Sequence, residues 1–513
     1  MTRYRHLITD DNRKWWTLGA MCFALFMVML DNTVVNVALP SIQRDLHADI
    51  SELEWVINGY TLTFAVLIAT GGRLGDIFGR RLMFLTGVII FAGTSATAGL
   101  AVNAEMLIAS RAVQGIGAAL MMPATLSIVT HAFPARERGK AIGTWAGVSA
   151  LALSIGPVIG GFLTENVGWE AIFFINLPVA AGAVVATLFA VRESRDETVD
   201  RTVDYPGVVA LTAGLSAIVL ALIEGNSWGW DSSQIVALLA GGFAALGAFV
   251  VIELRSRVPM VEFALFRTRQ FIGSNLVAFI ITFAMMGSFF FLAIYMQNIL
   301  GYGALEAGVR FLPTTMVIAV IAPLAGRLSD RFGPVWPMST GLAVLSVSMF
   351  MFSSIDISTT YSGLLVPFIL MGVGIALVMS PMSTAAMNAV AVQKAGVASG
   401  VLQMSRMVGA TVGVAATGAI FQSQLGSGFD PAGLAAAPDA ARAAFVDALG
   451  SAMLLAAAVS VLGFVVAVAL VRGGAKRDEA TRPAAAAPPA PAVPANAPAA
   501  PTPAPAASAP QSR

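Results

Sequence analysis

Long apolar runs separated by short polar segments make up most of this chain. A helix that crosses a bilayer needs about 20 mostly apolar residues, and the runs predict fourteen such helices, at 15–38, 53–71, 82–101, 107–129, 141–163, 171–191, 206–223, 234–252, 271–297, 311–325, 337–354, 362–384, 397–421 and 449–471. Trp15 and Trp16 are typical interfacial anchors at the start of the first run. That run is too long for a removable signal peptide.

One polar segment returns in the second half of the chain. Residues 72–81 read Gly-Arg-Leu-Gly-Asp-Ile-Phe-Gly-Arg-Arg, and a shortened copy occupies 326–333, 254 residues later. Segments 114–120 and 371–377 match at an offset of 257 residues. The same offset aligns three pairs of glycines: Gly143 with Gly400, Gly156 with Gly413, and Gly161 with Gly418. Repeated helical units of this kind are typical of secondary transporters, with the substrate site between the repeats.

The repeat predicts an all-α integral membrane protein with two six-helix bundles and two inserted helices. Its parts are a cytoplasmic N-terminal segment, the first bundle, the inserted helices with their linkers, the second bundle, and a tail, at 1–14, 15–191, 192–270, 271–472 and 473–513. The tail is rich in Ala and Pro. We expect it to be disordered, since such a composition cannot form a packed core.

Composition and the distribution of charge agree with this architecture. The chain is 57% hydrophobic and 12% charged, against about 25% charged in a soluble domain. With the N-terminus placed inside, 25 of the 30 lysines and arginines lie in inner loops or termini. The positive-inside rule then predicts a multi-pass protein of the plasma (inner) membrane with both termini in the cytoplasm.

Several classes of function lack support in the sequence. The net charge of +1 gives no reason to expect a nucleic-acid partner. The single cysteine allows no intramolecular disulfide, and the three histidines lie outside the apolar runs, so we expect no metal site. Phosphate-binding loops and the common hydrolase and zinc-protease motifs are absent from the sequence. We therefore expect neither an enzyme nor a cofactor.

Three charged residues fall well inside predicted spans, toward the centre of the bilayer: Asp31, Arg111 and Arg406. Charges at this depth are costly and are usually functional or paired. With a rise of 1.5 Å per residue, Asp31 and Arg111 lie roughly 7 and 10 Å outward of the middle of their spans, so they can pair. One interpretation is a static ion pair that fixes helix packing. The other, which we favour, is that Asp31 alternates between protonated and ionised forms under the control of Arg111, because burial disfavours the charged carboxyl and arginine favours it.

The repeat does not duplicate these charges. Arg111 aligns with Phe368, and Arg406 aligns with Ser149, an asymmetry that favours function over scaffolding. Two cations and one anion are an unusual balance for a site that binds lipophilic cations. Glu224 could add acidity, although an interfacial, solvated position is the simpler interpretation.

The polar loop and its copy predict an inner gate. In a transporter whose halves rock, a cluster of charges can hold helices together when the inner side is closed; the candidates are Gly72, Asp76, Gly79, Arg80, Arg81 and Asp330. Setting the topology would explain the arginines alone, but not the aspartate or the glycines.

The last group of candidates consists of residues that could line a substrate cavity. Aromatic and methionine side chains crowd the ninth span and would suit varied lipophilic compounds, although packing against lipid or another helix is an alternative. We select Asn32, Asn36, Gln114, Tyr295 and Phe290 as candidate lining residues.

Loop 72–81 resembles the loop signature of the major facilitator superfamily. Segments 30–40, 111–117, 156–161 and 169–178 resemble further signatures of its fourteen-span drug:proton antiporter family. The resemblance covers roughly residues 15–471. It implies that Gly156, Pro157, Gly160 and Gly161 form the hinge or proton seal of an exporter.

The same resemblance implies a proton-coupled exporter of hydrophobic small molecules such as antibiotics and toxic compounds. Its expected partners are lipophilic substrates, protons and membrane lipids; it would be driven by the proton gradient and act as a monomer. A dedicated exporter of a self-made metabolite or lipid is the nearest alternative. An intramembrane enzyme or a receptor is a more distant one.

Overall fold

The computed structural model describes residues 9, 12–134, 137–195, 202, 204–256, 259, 261, 263–390, 395–425 and 438–471. The predicted tail, 473–513, and most of the N-terminal segment, 1–14, lie outside the described residues. Within them the backbone is helical and contains no strand, which confirms the predicted all-α class.

The helices follow the apolar runs. They are α1 (Arg13–Leu46), α2 (Ile50–Phe78), α3 (Arg80–Gly99), α4 (Ala104–Ala132), α5 (Arg138–Asn166), α6 (Ala171–Phe174), α7 (Asn176–Ala190), α8 (Tyr205–Trp228), α9 (Ser233–Arg255), α10 (Arg269–Ile294), α11 (Ala304–Arg310), α12 (Leu312–Phe332), α13 (Val335–Phe352), α14 (Tyr361–Asn388), α15 (Ala395–Leu425) and α16 (Asp439–Leu470). A π-helical turn, Tyr295–Ile299, continues α10.

Capping side chains explain several helix starts. Asp49 accepts a hydrogen bond from the backbone nitrogen of Glu52, whose carboxylate accepts one from the nitrogen of Asp49. This reciprocal pair satisfies two free backbone donors and begins α2. Asn103 caps α4 with a single hydrogen bond, since its side-chain oxygen accepts from the backbone nitrogen of Met106 at 2.9 Å.

Thirteen stretches of the described residues are long and apolar enough to cross a bilayer. They correspond to every predicted span except 141–163, which falls in α5, a 29-residue helix some of whose side chains are not described. The count of fourteen stays a prediction.

The bounds predicted for the tenth span were wrong. The apolar stretch begins at Ala304, before the predicted 311–325, and continues to Ser329. The predicted start, 311, stood just after the charged residue Arg310, which in the structure lies inside the stretch and ends α11. Its guanidinium lies 3.8 and 4.3 Å from the ring centres of Tyr302 and Tyr361. Stacking on aromatic faces lets a charged residue remain in the helix.

Helices α1–α7 pack mainly with one another, and so do α10 and α12–α16, whereas α11 packs mainly against α5 of the first set. In the first set α2 lies along α4 and α1 along α5, and in the second α10 lies along α15 and α13 along α14. Small residues permit the close packing: an added Cβ at Gly71 would lie 2.7 Å from the carbonyl carbon of Ala119 on α4.

We call the end of the bundles where α1 begins and α16 ends the inner end, and the opposite end the outer end. The two bundles touch toward the outer end. Gln297, in the π-helical turn, donates from Nε2 to the carbonyl oxygen of Val37 on α1 at 2.8 Å. Gln422 of α15 donates to the hydroxyl oxygen of Ser51 on α2 at 3.3 Å.

The inserted pair α8 and α9 packs at the junction of the bundles. Helix α8 lies along α9 and also contacts α2 and α15. Asn226 of α8 donates from Nδ2 to the carbonyl oxygen of Ala419 on α15 at 2.6 Å. The insertion therefore contacts both repeats.

Candidate functional site

A polar cluster is buried within the first bundle, where α1, α3, α4 and α7 converge. Its members are Asp31, Ser95, Arg111, Gln114 and Asn176, each at most 2% exposed. Buried polar groups at this density are stable only if each is hydrogen-bonded.

Asp31 accepts hydrogen bonds on both carboxylate oxygens. Nη1 of Arg111 donates to Oδ2 at 2.6 Å, which forms a buried ion pair. Oδ1 accepts from Nε2 of Gln114 at 3.1 Å and from Nδ2 of Asn176 at 3.2 Å. Three donors, one of them cationic, therefore surround this carboxylate.

Arg111 ties this carboxylate to the neighbouring helix α2. Its Nε donates to the carbonyl oxygen of Val56 at 3.1 Å, and its guanidinium lies 4.3 Å from the ring centre of Tyr60. Nη1 also donates to Oε1 of Gln114 at 2.7 Å. A shift of α2 relative to α1 and α4 would therefore disturb the ion pair.

Sequence reasoning identified the charged members of the cluster and Gln114, but it missed Ser95 and Asn176. Ser95 accepts from Gln114 at 2.8 Å and from Asn176 at 3.1 Å. A signal for Asn176 was present in the sequence, because it is an isolated polar residue in an apolar run, whereas Ser95 stands beside Thr94 and does not stand out.

Arg406 lies apart from this cluster, on α15. Its Nη1 donates to Oε1 of Gln403 at 3.2 Å, and its buried Nε has no hydrogen-bond partner among the described residues. The neighbouring Met404 and Met407 pack against the core of the first bundle. Arg406 is therefore on a helix that faces the other repeat.

The predicted inner-gate loop forms the junction between α2 and α3. Gly79 has φ +118°, a conformation that favours glycine. The carboxylate of Asp76, near the end of α2, accepts hydrogen bonds from Nη2 and Nε of Arg80, four residues later, at 2.9 and 3.1 Å. Gly72 faces Pro123 of α4, 3.4 Å from an added Cβ. The side chain of Asp330 is outside the described residues.

The contacts that hold this loop to another helix come from a residue that the sequence analysis missed. Glu193, after α7, accepts from the backbone nitrogens of Arg81 and Leu82 at 2.9 and 3.1 Å. Arg81 also donates from Nη2 to the carbonyl oxygen of Leu188 at 3.2 Å. Because α3 has no acidic residue in its first turn, its free N–H groups and positive dipole end are satisfied from outside the helix.

The predicted hinge segment of α5 lies where α5 meets two other helices. Added Cβ atoms at Gly156 and Gly160 would lie 2.8 Å from Cβ of Thr33 and 2.9 Å from Cα of Val34 on α1. An added Cβ at Gly161 would lie 2.7 Å from Cα of Leu305 on α11 in the second bundle.

Pro157 completes this contact between the bundles. Its carbonyl group faces Gly308 of α11, where an added Cβ would overlap the carbonyl oxygen. Glu165, farther along α5, accepts from the backbone nitrogen of Leu305 at 2.8 Å. The segment therefore packs α5 closely against α11 toward the outer end, and its role as a hinge or proton seal stays a prediction.

The remaining candidates lie in helix packing. Asn32 and Asn36 donate to carbonyl oxygens one turn earlier on α1, those of Val28 and Asn32, at 2.8 and 3.0 Å. Phe290 is fully buried against Phe291, with ring centres 4.7 Å apart. Their role as cavity walls stays a prediction.

Tyr295 anchors the outer end of α10. It is buried, and its hydroxyl donates to the backbone oxygen of Asp356 at 3.2 Å. In that outer loop, hydrogen bonds from Ser358 and Thr359 hold the pKa of the Asp356 carboxyl below its usual value. Tyr295 thus joins α10 to an ordered loop.

Comparisons with known proteins identify similar chains. The chain is 36% identical over 417 residues to the tetracenomycin C resistance and export protein of Streptomyces glaucescens, covering 81% of this chain and 78% of that protein. It is 36% identical over 426 residues to the multidrug resistance protein Stp of Mycobacterium tuberculosis, covering 82% and 79%.

A solved structure shares the fold. It is a bacterial homologue of the human lysosomal transporter Spinster, inward-facing and unoccupied, with a TM-score of 0.65, 17% identity, and coverage of 90% of this chain and 97% of that chain. The model of the Major Facilitator Superfamily matches residues 21–414. Because this match covers most of the chain, the chain belongs to the Major Facilitator Superfamily.

Proposed function

We propose that the protein is a proton-coupled exporter of hydrophobic small molecules, such as antibiotics and toxic compounds, working by alternating access. The observation that carries the proposal is the buried Asp31–Arg111 pair, whose arginine also contacts α2. A carboxylate whose cationic partner is held by a second helix is suited to take up a proton when the helices move. Similarity to resistance and export proteins supports the direction and the substrate class.

In this mechanism the proton gradient supplies the energy and no cofactor takes part. Asp31 is ionised while Arg111 is bound, and it takes up a proton when α2 shifts and the pair separates. Arg406, on the helix that faces the first bundle, offers donors to polar groups of a substrate. The proposed partners are lipophilic molecules, protons and membrane lipids, and the proposed unit is a monomer in the plasma membrane with cytoplasmic termini.

A narrow substrate range is the second candidate. One of the relatives is named for resistance to and export of a single antibiotic, so a dedicated exporter of one self-made compound fits the same site. Substrate panels distinguish the two, because a dedicated exporter moves one chemical family only.

Proton movement in inverted vesicles with an acidic interior tests the function. Candidate drugs are expected to discharge the gradient with the native protein and not with Asp31→Asn, compared at equal amounts of folded protein. Glu105→Gln, an exposed carboxyl at the start of α4, is the matched control and is expected to behave as native. Discharge by Asp31→Asn at the native rate would show that the proton site lies elsewhere.

A further inference from the structure

A second carboxyl is fully buried, and the mechanism above does not use it. Glu54 lies in the first turns of α2, is 0% exposed, and faces α15 of the other bundle. The Asp49–Glu52 capping pair shows that α2 begins before Glu54, so this residue is inside the helix and not in a loop. In the sequence it stands at the start of the predicted span 53–71.

The surroundings of Glu54 provide almost no compensation for a negative charge. One carboxylate oxygen, Oε1, accepts from Nε2 of Gln422 at 3.3 Å, and Oε2 has no hydrogen-bond partner among the described residues. The charged groups that act on it are the carboxyls of Glu224 on α8 and Asp49 at the start of α2. The arginine that approaches α2 from α4, Arg111, is already paired with Asp31.

Helix α15 fits closely around this carboxyl. An added Cβ at Gly418 would overlap the Glu54 carboxylate, so glycine is what allows the contact. One turn along α2, both polar atoms of the Asn58 amide are buried without a partner among the described residues. Farther along, Thr411 of α15 donates to the hydroxyl oxygen of Thr61 at 2.9 Å.

These residues form a polar stripe on α2, made of Glu54, Asn58 and Thr61 at helical spacing, and Glu54 and Thr61 contact α15. Polar groups buried without partners cost free energy, and they regain hydrogen bonds with water when the helices separate. An ionised carboxyl costs far more to bury than its neutral acid. The interface is therefore stable with a neutral Glu54 and strained with a charged one.

We propose that Glu54 is a proton-binding site that controls the outer end of the transporter: α2 and α15 close on the protonated carboxyl and separate when it ionises. The inference rests on the proposed alternating-access function. It adds the requirement that the outer side closes only after a proton has bound at the boundary between the bundles. The same segment of α2 carries Val56, whose carbonyl oxygen accepts a hydrogen bond from Arg111. Movement of α2 away from α15 would therefore also disturb the ion pair between Arg111 and Asp31.

The sign of the pH dependence follows from this assignment. At acidic pH Glu54 is protonated and the outer end is closed. As pH rises through the titration of Glu54, the closed population is lost, because the charged carboxylate is solvated only in the open form. A glutamine in its place keeps the shape of the neutral acid and cannot ionise.

The test measures the distance between the outer ends of the bundles in the full chain in lipid nanodiscs, without substrate. Spin labels are placed at Val102→Cys, on the loop before α4, and Ser354→Cys, on the loop before α14, in a Cys22→Ser background; both positions are exposed. Distance distributions are recorded by pulsed electron resonance over a pH series. The variants are Glu54→Gln and Glu54→Asp, with Glu105→Gln as the matched control.

With Glu54 present we expect long distances to increase with pH, and Glu105→Gln to follow the same curve. Glu54→Gln is expected to remain closed throughout the series, and Glu54→Asp, which keeps a carboxyl, to retain a pH dependence with a shifted midpoint. An unchanged pH curve in Glu54→Gln, or distances independent of pH in the native protein, would overturn the inference. Either result would overturn only the role of Glu54. The proposed export function is tested separately by the vesicle measurement, which uses unlabelled protein.

Discussion

The Asp31 carboxylate and the Arg111 guanidinium stabilise each other at a site closed to water. We predict that Asp31→Asn or Arg111→Gln alone lowers the free energy of unfolding by about 3–5 kcal/mol, because one buried charge loses its partner. The double variant removes both charges and is expected to lose less than the sum of the single variants. Thermal unfolding in detergent, arranged as a double-mutant cycle, measures the coupling.

Glu105→Gln serves as the reference for this cycle, since the side chain is exposed and is not a member of the cluster. Additive losses in the double variant would contradict a shared ion pair.

Glu193 is another single residue whose removal is expected to lower stability, here at the inner end of the first bundle. Its carboxylate accepts from two backbone nitrogens at the start of α3, so Glu193→Ala is expected to cost about 1 kcal/mol, as the loss of a helix cap does. Hydrogen exchange should speed up at the amides of Arg81 and Leu82. Unchanged exchange there would mean that water replaces the cap without loss.

At the scale of elements, the contact between α5 and α11 depends on the absence of a side chain. We predict that Gly161→Ala separates the two helices and reduces transport, because its Cβ would lie 2.7 Å from Cα of Leu305. Gly147→Ala on the same helix is the matched control, since no atom lies within 4 Å of its added Cβ. Equal transport by the two variants, measured as drug efflux at matched expression, would exclude a role for the close approach.

At the scale of the whole molecule, export requires that the outer ends of the bundles separate. Ser51 of α2 and Gln422 of α15 are in contact across the boundary. We predict that a short thiol-specific cross-linker between Ser51→Cys and Gln422→Cys, in the Cys22→Ser background, stops transport and that reduction restores it. The measurement is drug efflux before cross-linking, after it and after reduction.

The control for this experiment joins two helices of one bundle. Thr97 of α3 and Ser110 of α4 have hydroxyl oxygens 3.0 Å apart, and cross-linking Thr97→Cys to Ser110→Cys should leave transport intact. Full transport with the Ser51 and Gln422 positions linked would contradict movement between the bundles.

The sequence predicted the helical class, nearly all the spans and the pair of buried charges. These follow from local properties, because an apolar run of membrane length can only form a helix in a bilayer, and a charge inside such a run stands out without any tertiary information. The resemblance to the Major Facilitator Superfamily was likewise carried by short motifs and is confirmed by the match over 21–414.

Other features could be decided only by the tertiary structure. The contact of Arg310 with the ring of Tyr361 depends on how the end of α11 faces the start of α14. The hydrogen bonds of Ser95 and Asn176 to the Asp31 cluster depend on how α3 and α7 face α1 and α4. No periodicity in a uniformly apolar helix indicates which side faces a partner.

Two glutamates show most clearly what the sequence determines and what only tertiary packing determines. The sequence alone establishes that Glu193 and Glu54 are acidic residues near the ends of apolar runs, which is compatible with ordinary solvated positions. Packing makes one of them the cap of a distant helix and buries the other between the two bundles. The physical reason is that hydrophobicity, which determines the spans, is a property of each segment, whereas burial and hydrogen bonding are properties of the contact between segments that are distant in the chain.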